Sequence, residues 1–135
     1  GAMATFDLQI VTPDGEFFDG PAERVICRAI DGDVCILPRH VPYVTALGIG
    51  EVRVTIDGKV RRAACSGGLL SVAKLNEVRL VASTFEWAED IDHERAERAR
   101  AGAEEAVRHA KDAAELELAK ARLSRALVRL KVSQS

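Results

Sequence analysis

The chain has 135 residues, room for one ordinary domain or for a small domain with an appendage. Its formal net charge of −2 excludes a general nucleic-acid binder, which needs an excess of Lys and Arg to neutralise phosphates. Its apolar runs fall short of the roughly 18 residues that span a bilayer, so direct membrane insertion is not expected.

Gly1-Ala2-Met3 reads as an expression scar, with no secretory signal ahead of the first strand. From Thr5 to Ile10, Phe6, Leu8 and Ile10 alternate with Asp7 and Gln9, the period-two pattern of a half-buried strand. Pro13-Asp14-Gly15 turns the chain, Phe17 and Phe18 open the next extended stretch, and Val25, Cys27 and Ala29 predict a strand with one buried face. After the turn Asp31-Gly32-Asp33 and the apolar run 34–37 comes Pro38-Arg39-His40-Val41-Pro42, a loop because two prolines remove backbone donors. The clearest hairpin signal is Asp57-Gly58, flanked by Val52, Val54 and Ile56 on one side and by Val60 and Ala64 on the other. Gly67-Gly68 predicts a bend or bulge, and a last pair of strands, 69–73 and 77–82, surrounds Lys74-Leu75-Asn76. Turns at this spacing predict an all-β N-terminal sandwich of short antiparallel strands over residues 4–87. Cys27, Cys35 and Cys65, odd in number and widely spaced, are expected to be buried, reduced thiols of a cytosolic protein. They make no metal-ligand spacing with His40, His93 or His109.

The period changes across Trp87-Ala88-Glu89-Asp90-Ile91-Asp92-His93-Glu94-Arg95-Ala96, which is both a domain seam and a helix start. Asp90 and Asp92 are candidate caps, and Glu94 suits the first turn. Ile91 and Arg95 lie one turn apart, and Ala96 leaves space beside them. This surface suits either a well-capped helix with an ordinary surface arginine or a site for an anionic, partly aromatic ligand such as a nucleotide. Residues 88–135 predict two helices, the second capped by Asp112 with Glu115 and joined to the first by a short link that favours an antiparallel hairpin. Their expected seam is narrow and alanine-rich: Ala96, Ala99, Ala103 and Ala106 against Leu116, Ala119, Leu123, Ala126 and Leu130. Such a seam buries little area per residue, and Gly102 weakens the first helix by about 1 kcal/mol relative to Ala. After Glu117 only cations follow, Lys120, Arg122, Arg125, Arg129 and Lys131. They form a solvated stripe, an anion site or a docking surface for an acidic partner.

The order and spacing of four segments carry a resemblance. They are Gly32-Asp33-Val34-Cys35-Ile36-Leu37-Pro38-Arg39-His40-Val41-Pro42, Gly67-Gly68-Leu69 with Asn76-Glu77-Val78, the seam 88–96, and Arg125-Ala126-Leu127-Val128-Arg129-Leu130. Over nearly the whole length the chain resembles the epsilon subunit of bacterial F-type ATP synthases. The resemblance implies a β-sandwich bound to the gamma subunit and the membrane rotor ring, followed by a two-helix regulatory domain. That domain alternates between a contracted hairpin on the sandwich and an extended form reaching the alpha and beta subunits of the catalytic head, where it blocks ATP hydrolysis. Ile91, Asp92, Arg95 and Ala96 match the family's ATP motif, and Glu86, Arg125 and Arg129 match its other nucleotide contacts. Ile91 and Ala96 would pack on the adenine, the arginines would neutralise phosphates, and Asp92 or Glu86 would accept from the exocyclic amine. Asp33 and His40 fall where relatives face the ring, although Arg39 is bulkier and more basic than the small residue some of them carry. Lys120 and Arg122 are the expected inhibitory docking residues. No cofactor is implied beyond ATP as a regulatory ligand, and no catalysis is expected, since neither a P-loop nor an evident water-activating group is present. The implied location is peripheral, on the cytoplasmic side of the bacterial plasma membrane. The competing readings are a purely structural coupling subunit that never senses nucleotide, and a small hydrolase using His40 with Cys35 or Asp33.

Overall fold

The alternating stretches become strands β1 (Phe6–Thr12), β2 (Gly15–Ala22), β3 (Arg24–Ala29), β4 (Gly32–Ile36), β5 (Tyr43–Ala46), β6 (Ile49–Ile56), β7 (Lys59–Ala73) and β8 (Glu77–Trp87). A 3-10 turn, Ala88–Asp90, leads to helices α1 (His93–His109) and α2 (Ala113–Ser133). The computed structural model describes residues 4–74 and 76–134; the scar, Leu75 of the last turn and Ser135 lie outside the described residues.

The strands pair in the order β2-β1-β8-β7-β6-β3-β4, with β5 also on β7. Two features depart from the expected short antiparallel strands. The first strand lies parallel to the last, Asp7 opposite Glu77 through Val11 opposite Val81. The stretches on either side of Gly67-Gly68, read in sequence as separate strands, form one 15-residue strand, β7. Strand β5, which the sequence pattern did not reveal, pairs with the second half of β7, while β6 pairs with the first half.

That division makes the sandwich. Along β7 the core-facing residues are Ala63 and Cys65 before the glycines but Leu70 and Val72 after them, so the buried parity switches from odd to even.

 

Leu70 and Val72 thus share the core with Ala63 and Cys65 although they lie on the opposite side of the pleat. The same switch occurs on β8, from Val78, Leu80 and Ala82 to Phe85 and Trp87. Pairing continues in one register on both sides of Gly67, with Ser66 opposite Thr84 and Gly68 opposite Ala82, so this is a half-turn of the ribbon and not a bulge. One layer is therefore β2, β1, the start of β8, the end of β7 and β5. The other is the end of β8, the start of β7, β6, β3 and β4. Phe6, Leu8 and Ile10 of the first layer pack with Val25, Cys27, Val52 and Val54 of the second in one buried cluster. The Asp57-Gly58 turn forms as expected, both residues at positive φ (51° and 76°), and the buried Glu23 carboxylate accepts the Gly58 N–H at 2.7 Å.

Cys27 and Cys65 are buried, and burial pushes both thiols up to about 12. Cys35 is exposed, against expectation, because Val34 and Ile36 take the inward positions of β4.

The helices form the expected hairpin, with Ala103, Ala119 and Ala126 buried. Asp92 caps α1 by accepting from the Arg95 N–H at 3.1 Å, and Asp112 caps α2 by accepting from the Glu115 N–H at 2.8 Å. Glu115 returns a bond to the amide of Lys111, one residue before the cap. Ala99 is exposed, and the half-buried Arg100 and Val107 flank Ala103 instead, following the helical repeat more closely. The hairpin docks on the outer face of the second layer through α2, where Ala64 meets Ile91, Ala96, Leu130 and Val132.

Gly68 sits at φ 114°, and a Cβ there would lie 1.9 Å from the Val81 carbonyl oxygen. Gly68→Ala is expected to destabilise the fold by about 3 kcal/mol or more. Gly67, at φ 66°, would meet only the Ser83 side chain, its movable hydroxyl at 2.9 Å and its Cβ at 3.4 Å, so Gly67→Asn should cost much less. Denaturant midpoints of the two variants check the contrast.

Candidate functional site

Across β6, β7 and β8 the outer face beneath α2 carries Glu51, Ala64 and Glu86 side by side in register. The alanine leaves room for the helix, and the two carboxylates flank it. Glu86 accepts from Arg129 Nε on α2 at 2.8 Å, with both side chains partly exposed. Such a pair contributes about 1 kcal/mol or less. Glu51 is held by Arg53 and Arg62 from its own layer. Burial alone would raise its carboxyl, but the hydrogen bonds from Arg62 and Arg53 hold it below the usual carboxylate range.

Beside the Glu86–Arg129 pair a cleft of about 660 Å³ opens between the sheet and the helices. Arg95 enters it from α1 and Arg125 with Arg129 from α2; Ile49, Ala64 and Val128 supply apolar wall. Among the described residues no carboxylate pairs with Arg95 or Arg125. Arg95 also stands in the first turn of α1, where the helix dipole disfavours a cation. Two guanidinium groups without a partner, next to a third held by one carboxylate, are suited to an anion with several oxygens. Asp14 and Asp90 also line the cleft, so it offers acceptors as well as donors.

The structure thus brings Glu86, Arg95, Arg125 and Arg129 to one place from three elements. The remaining residues of the expected nucleotide set lie elsewhere. Ala96 is fully buried and Ile91 is 9 % exposed, both packed in the seam under Leu130 and Val132, while the Asp92 carboxylate is engaged as a cap. Of the two expected docking residues, Lys120 is exposed on α2 with Glu117 at 3.8 Å, and Arg122 is exposed and reaches over Gly102 of α1. Asp33 pairs with Arg28 at 3.5 Å and borders a second, smaller cleft that reaches Val128 and Lys131 on α2. His40 lies in the loop beyond β4, bonded to the Val41 carbonyl and tilted against Tyr43. Asp14, Ile49 and Asp90 line the cleft without any signal in the residue pattern that would place them there. Val128 alone had a signal, since it neighbours Arg129 and lies three positions from Arg125 on the same helical face.

A β-sandwich with a two-helix arm folded onto one outer face, and a cleft lined by arginines and carboxylates between the two, defines a two-domain class of small protein. Residues 5–88 match the β-sandwich domain of the ATP synthase delta/epsilon chain, and residues 89–134 match its long α-helix domain. The chain belongs to this delta/epsilon family of ATP synthase subunits. It is 38 % identical over 131 residues to the ATP synthase epsilon chain of Ruminococcus albus, covering 97 % of this chain and 98 % of that one. It is 43 % identical over 131 residues to that of Bacillus velezensis, with the same coverage. In fold it is similar to a chain of the Euglena gracilis mitochondrial ATP synthase, with a TM-score of 0.83 at 22 % identity, covering 100 % of this chain and 85 % of that one. Among the described residues no helix is long and apolar enough to cross a membrane.

The lowered Glu51 carboxyl gives a pH dependence with a defined sign. A group depressed in the folded state adds stability above its unfolded value, 4.5, and loses it as pH falls through the folded one. Glu51→Gln is therefore expected to lower stability at neutral pH and to flatten the acid limb below about 4.5, as read from thermal midpoints against pH.

Proposed function

We propose that the chain is a non-catalytic rotor subunit of the central stalk that couples gamma to the membrane ring and restrains ATP hydrolysis through its helical arm, with ATP holding the arm in the docked form seen here. The observation that carries the nucleotide reading is the convergence of Arg95, Arg125 and Arg129 from two helices on one cleft, which exists only while the arm is folded against the sheet. A triphosphate would bridge the two unpartnered guanidinium groups and compete with Glu86 for Arg129. Ile91 and Ala96 then serve by closing the seam behind the cleft, and the apolar wall for a base falls to Ile49, Ala64 and Val128. The proposed location is peripheral, on the cytoplasmic side of the bacterial plasma membrane, where the chain is held through the ring.

The opposite outer face supports the coupling role. There Ala46, Leu69, Val81 and Val11 form a row across β5, β7, β8 and β1, with Leu69 51 % and Val81 40 % exposed. An exposed apolar row of this kind suits a protein partner, and gamma is the partner we assign to it. A chain of similar fold in Tetrahymena thermophila, TM-score 0.70 at 15 % identity, comes from a mitochondrial ATP synthase central stalk and c-ring structure. Asp33 and His40 are the proposed ring contacts. A second reading, a coupling subunit without nucleotide sensing, is favoured by the Glu86–Arg129 pair and the buried seam, which hold the arm down without any ligand.

Ligand binding to the docked form alone stabilises it by RT ln(1 + [L]/Kd), about 1.4 kcal/mol at ten times Kd. Arg125→Ala should weaken ATP binding and shift the arm toward release while the sandwich stays folded. Titration of both proteins, with a distance probe between the sandwich and α2, decides between the readings: equal affinities, or binding without a change in distance, leave only the coupling role.

Inhibition is assigned to Lys120 and Arg122 docking on acidic surface of the alpha and beta subunits when the arm is extended. Replacing both with Gln should raise ATPase activity of the reconstituted complex, with an effect that shrinks as salt rises, since exposed charges are screened beyond roughly 10 Å at moderate ionic strength. Unchanged activity would place the inhibitory contact elsewhere.

A further inference from the structure

The joint between sandwich and arm is held by a residue outside the cleft. Arg61, on β7, donates from Nε at 2.8 Å and from Nη2 at 2.6 Å to Glu89 Oε1 in the 3-10 turn. The same guanidinium lies 3.8 Å from the centroid of the Trp87 ring. Trp87, the single tryptophan of the chain, is itself fixed: its Nε1 donates to the Phe17 carbonyl at 3.3 Å, and Phe85 stands edge-on to it at 4.9 Å. Arg61 therefore fastens both the last residue of β8 and the middle of the turn that follows.

Beyond the turn the restraints stop for a short interval. The Ile91 N–H closes the turn by donating to the Ala88 carbonyl at 3.3 Å. Ile91 and Asp92 are extended, at φ −77° and −78°, and Asp92 then caps α1. Between the fastened turn and the capped helix these two residues alone belong to no element. The Ile91 side chain packs with Ala64 of the sheet and with Ala96, Leu130 and Val132 of the docked arm, and the contacts with the arm are lost whenever the arm leaves.

We propose that Arg61 is an anchor that keeps Ala88–Asp90 part of the sandwich body and confines the pivot of the helical arm to Ile91 and Asp92. This rests on the released arm of the proposed function, but the anchor is tested in the docked chain. An exposed ion pair alone would hold the turn weakly, and the stacking on Trp87 adds a second attachment that orders the same side chain. Release then swings the arm about two pairs of backbone dihedrals and leaves the turn, with Asp90 on the rim of the cleft, in place.

The test is backbone amide relaxation on the full chain, comparing wild type with Arg61→Gln and Arg61→Lys. In wild type, residues 88–90 should show order parameters like those of the strands, about 0.85; in Arg61→Gln they should fall to about 0.6 or below. Trp87 emission should shift to the red as water reaches the uncovered ring face. Lys keeps the charge but lacks the planar fork that both pairs and stacks, so Arg61→Lys should fall between the two. Unchanged strand amides in both variants show that the sandwich is intact. Rigid 88–90 in Arg61→Gln, or mobile 88–90 in wild type, would overturn the anchor. An arm that keeps one distance from the sandwich with and without ATP, in wild type and variants alike, would instead overturn its release, and with it the pivot.

Discussion

The half-turn at Gly67-Gly68 is the constraint on which the rest of the structure depends. Gly68 lets the β7 backbone come so close to Val81 that no side chain fits, and the two positive-φ residues rotate the ribbon without breaking its pairing. Because the buried parity switches there, one pair of long strands contributes to both layers. The outer faces differ as a result. One carries Glu51, Ala64 and Glu86, small and acidic enough to receive a helix, while the other carries Leu69, Val81 and Val11. The arm and the exposed apolar row are kept on opposite sides of a single sheet system by the place at which the ribbon turns.

The docked arm is held by modest interactions. Its seam is built from alanines at the hairpin contact, and its apolar attachment to the sheet is confined to a small cluster around Ala64, Leu130 and Val132. The ion pair from Glu86 to Arg129 is half in solvent and adds little. A large core beneath α2 would have made the arm a permanent layer. What is present instead leaves its position open to bias by a ligand of ordinary affinity.

Much of this was legible in the sequence. Period two gave β1, β3 and the β6–β7 hairpin, and the change of period across 87–96 coincides with the end of β8 and the start of α1. Both helix caps followed from single aspartates. Strand β5 was hidden because the short stretch from Tyr43 to Ala46 follows two prolines and has too few residues to show a period. The parallel pairing of β1 with β8 was hidden because alternation fixes a strand's buried face but not its neighbour. In the cleft, the arginines of α2 were visible as a cationic stripe, but the carboxylate that pairs with Arg129 comes from β8. Ile91 and Ala96 were read as a surface beside Arg95 and lie in the seam, because helical spacing tells which residues share a side and not whether that side faces a ligand or another helix.

The parallel contact between β1 and β8 also orders events in time. Its partners stand 70 positions apart, from Asp7 to Glu77, so the first strand must wait for the last before its layer is complete. Contacts this distant form slowly, whereas an antiparallel helical hairpin with a short link needs only its neighbours. The arm can therefore coil early but has nothing to rest on until the sandwich closes. On the ribosome β8 emerges just ahead of α1, and the docking face is finished only as the arm appears. Docking is then the last step of maturation.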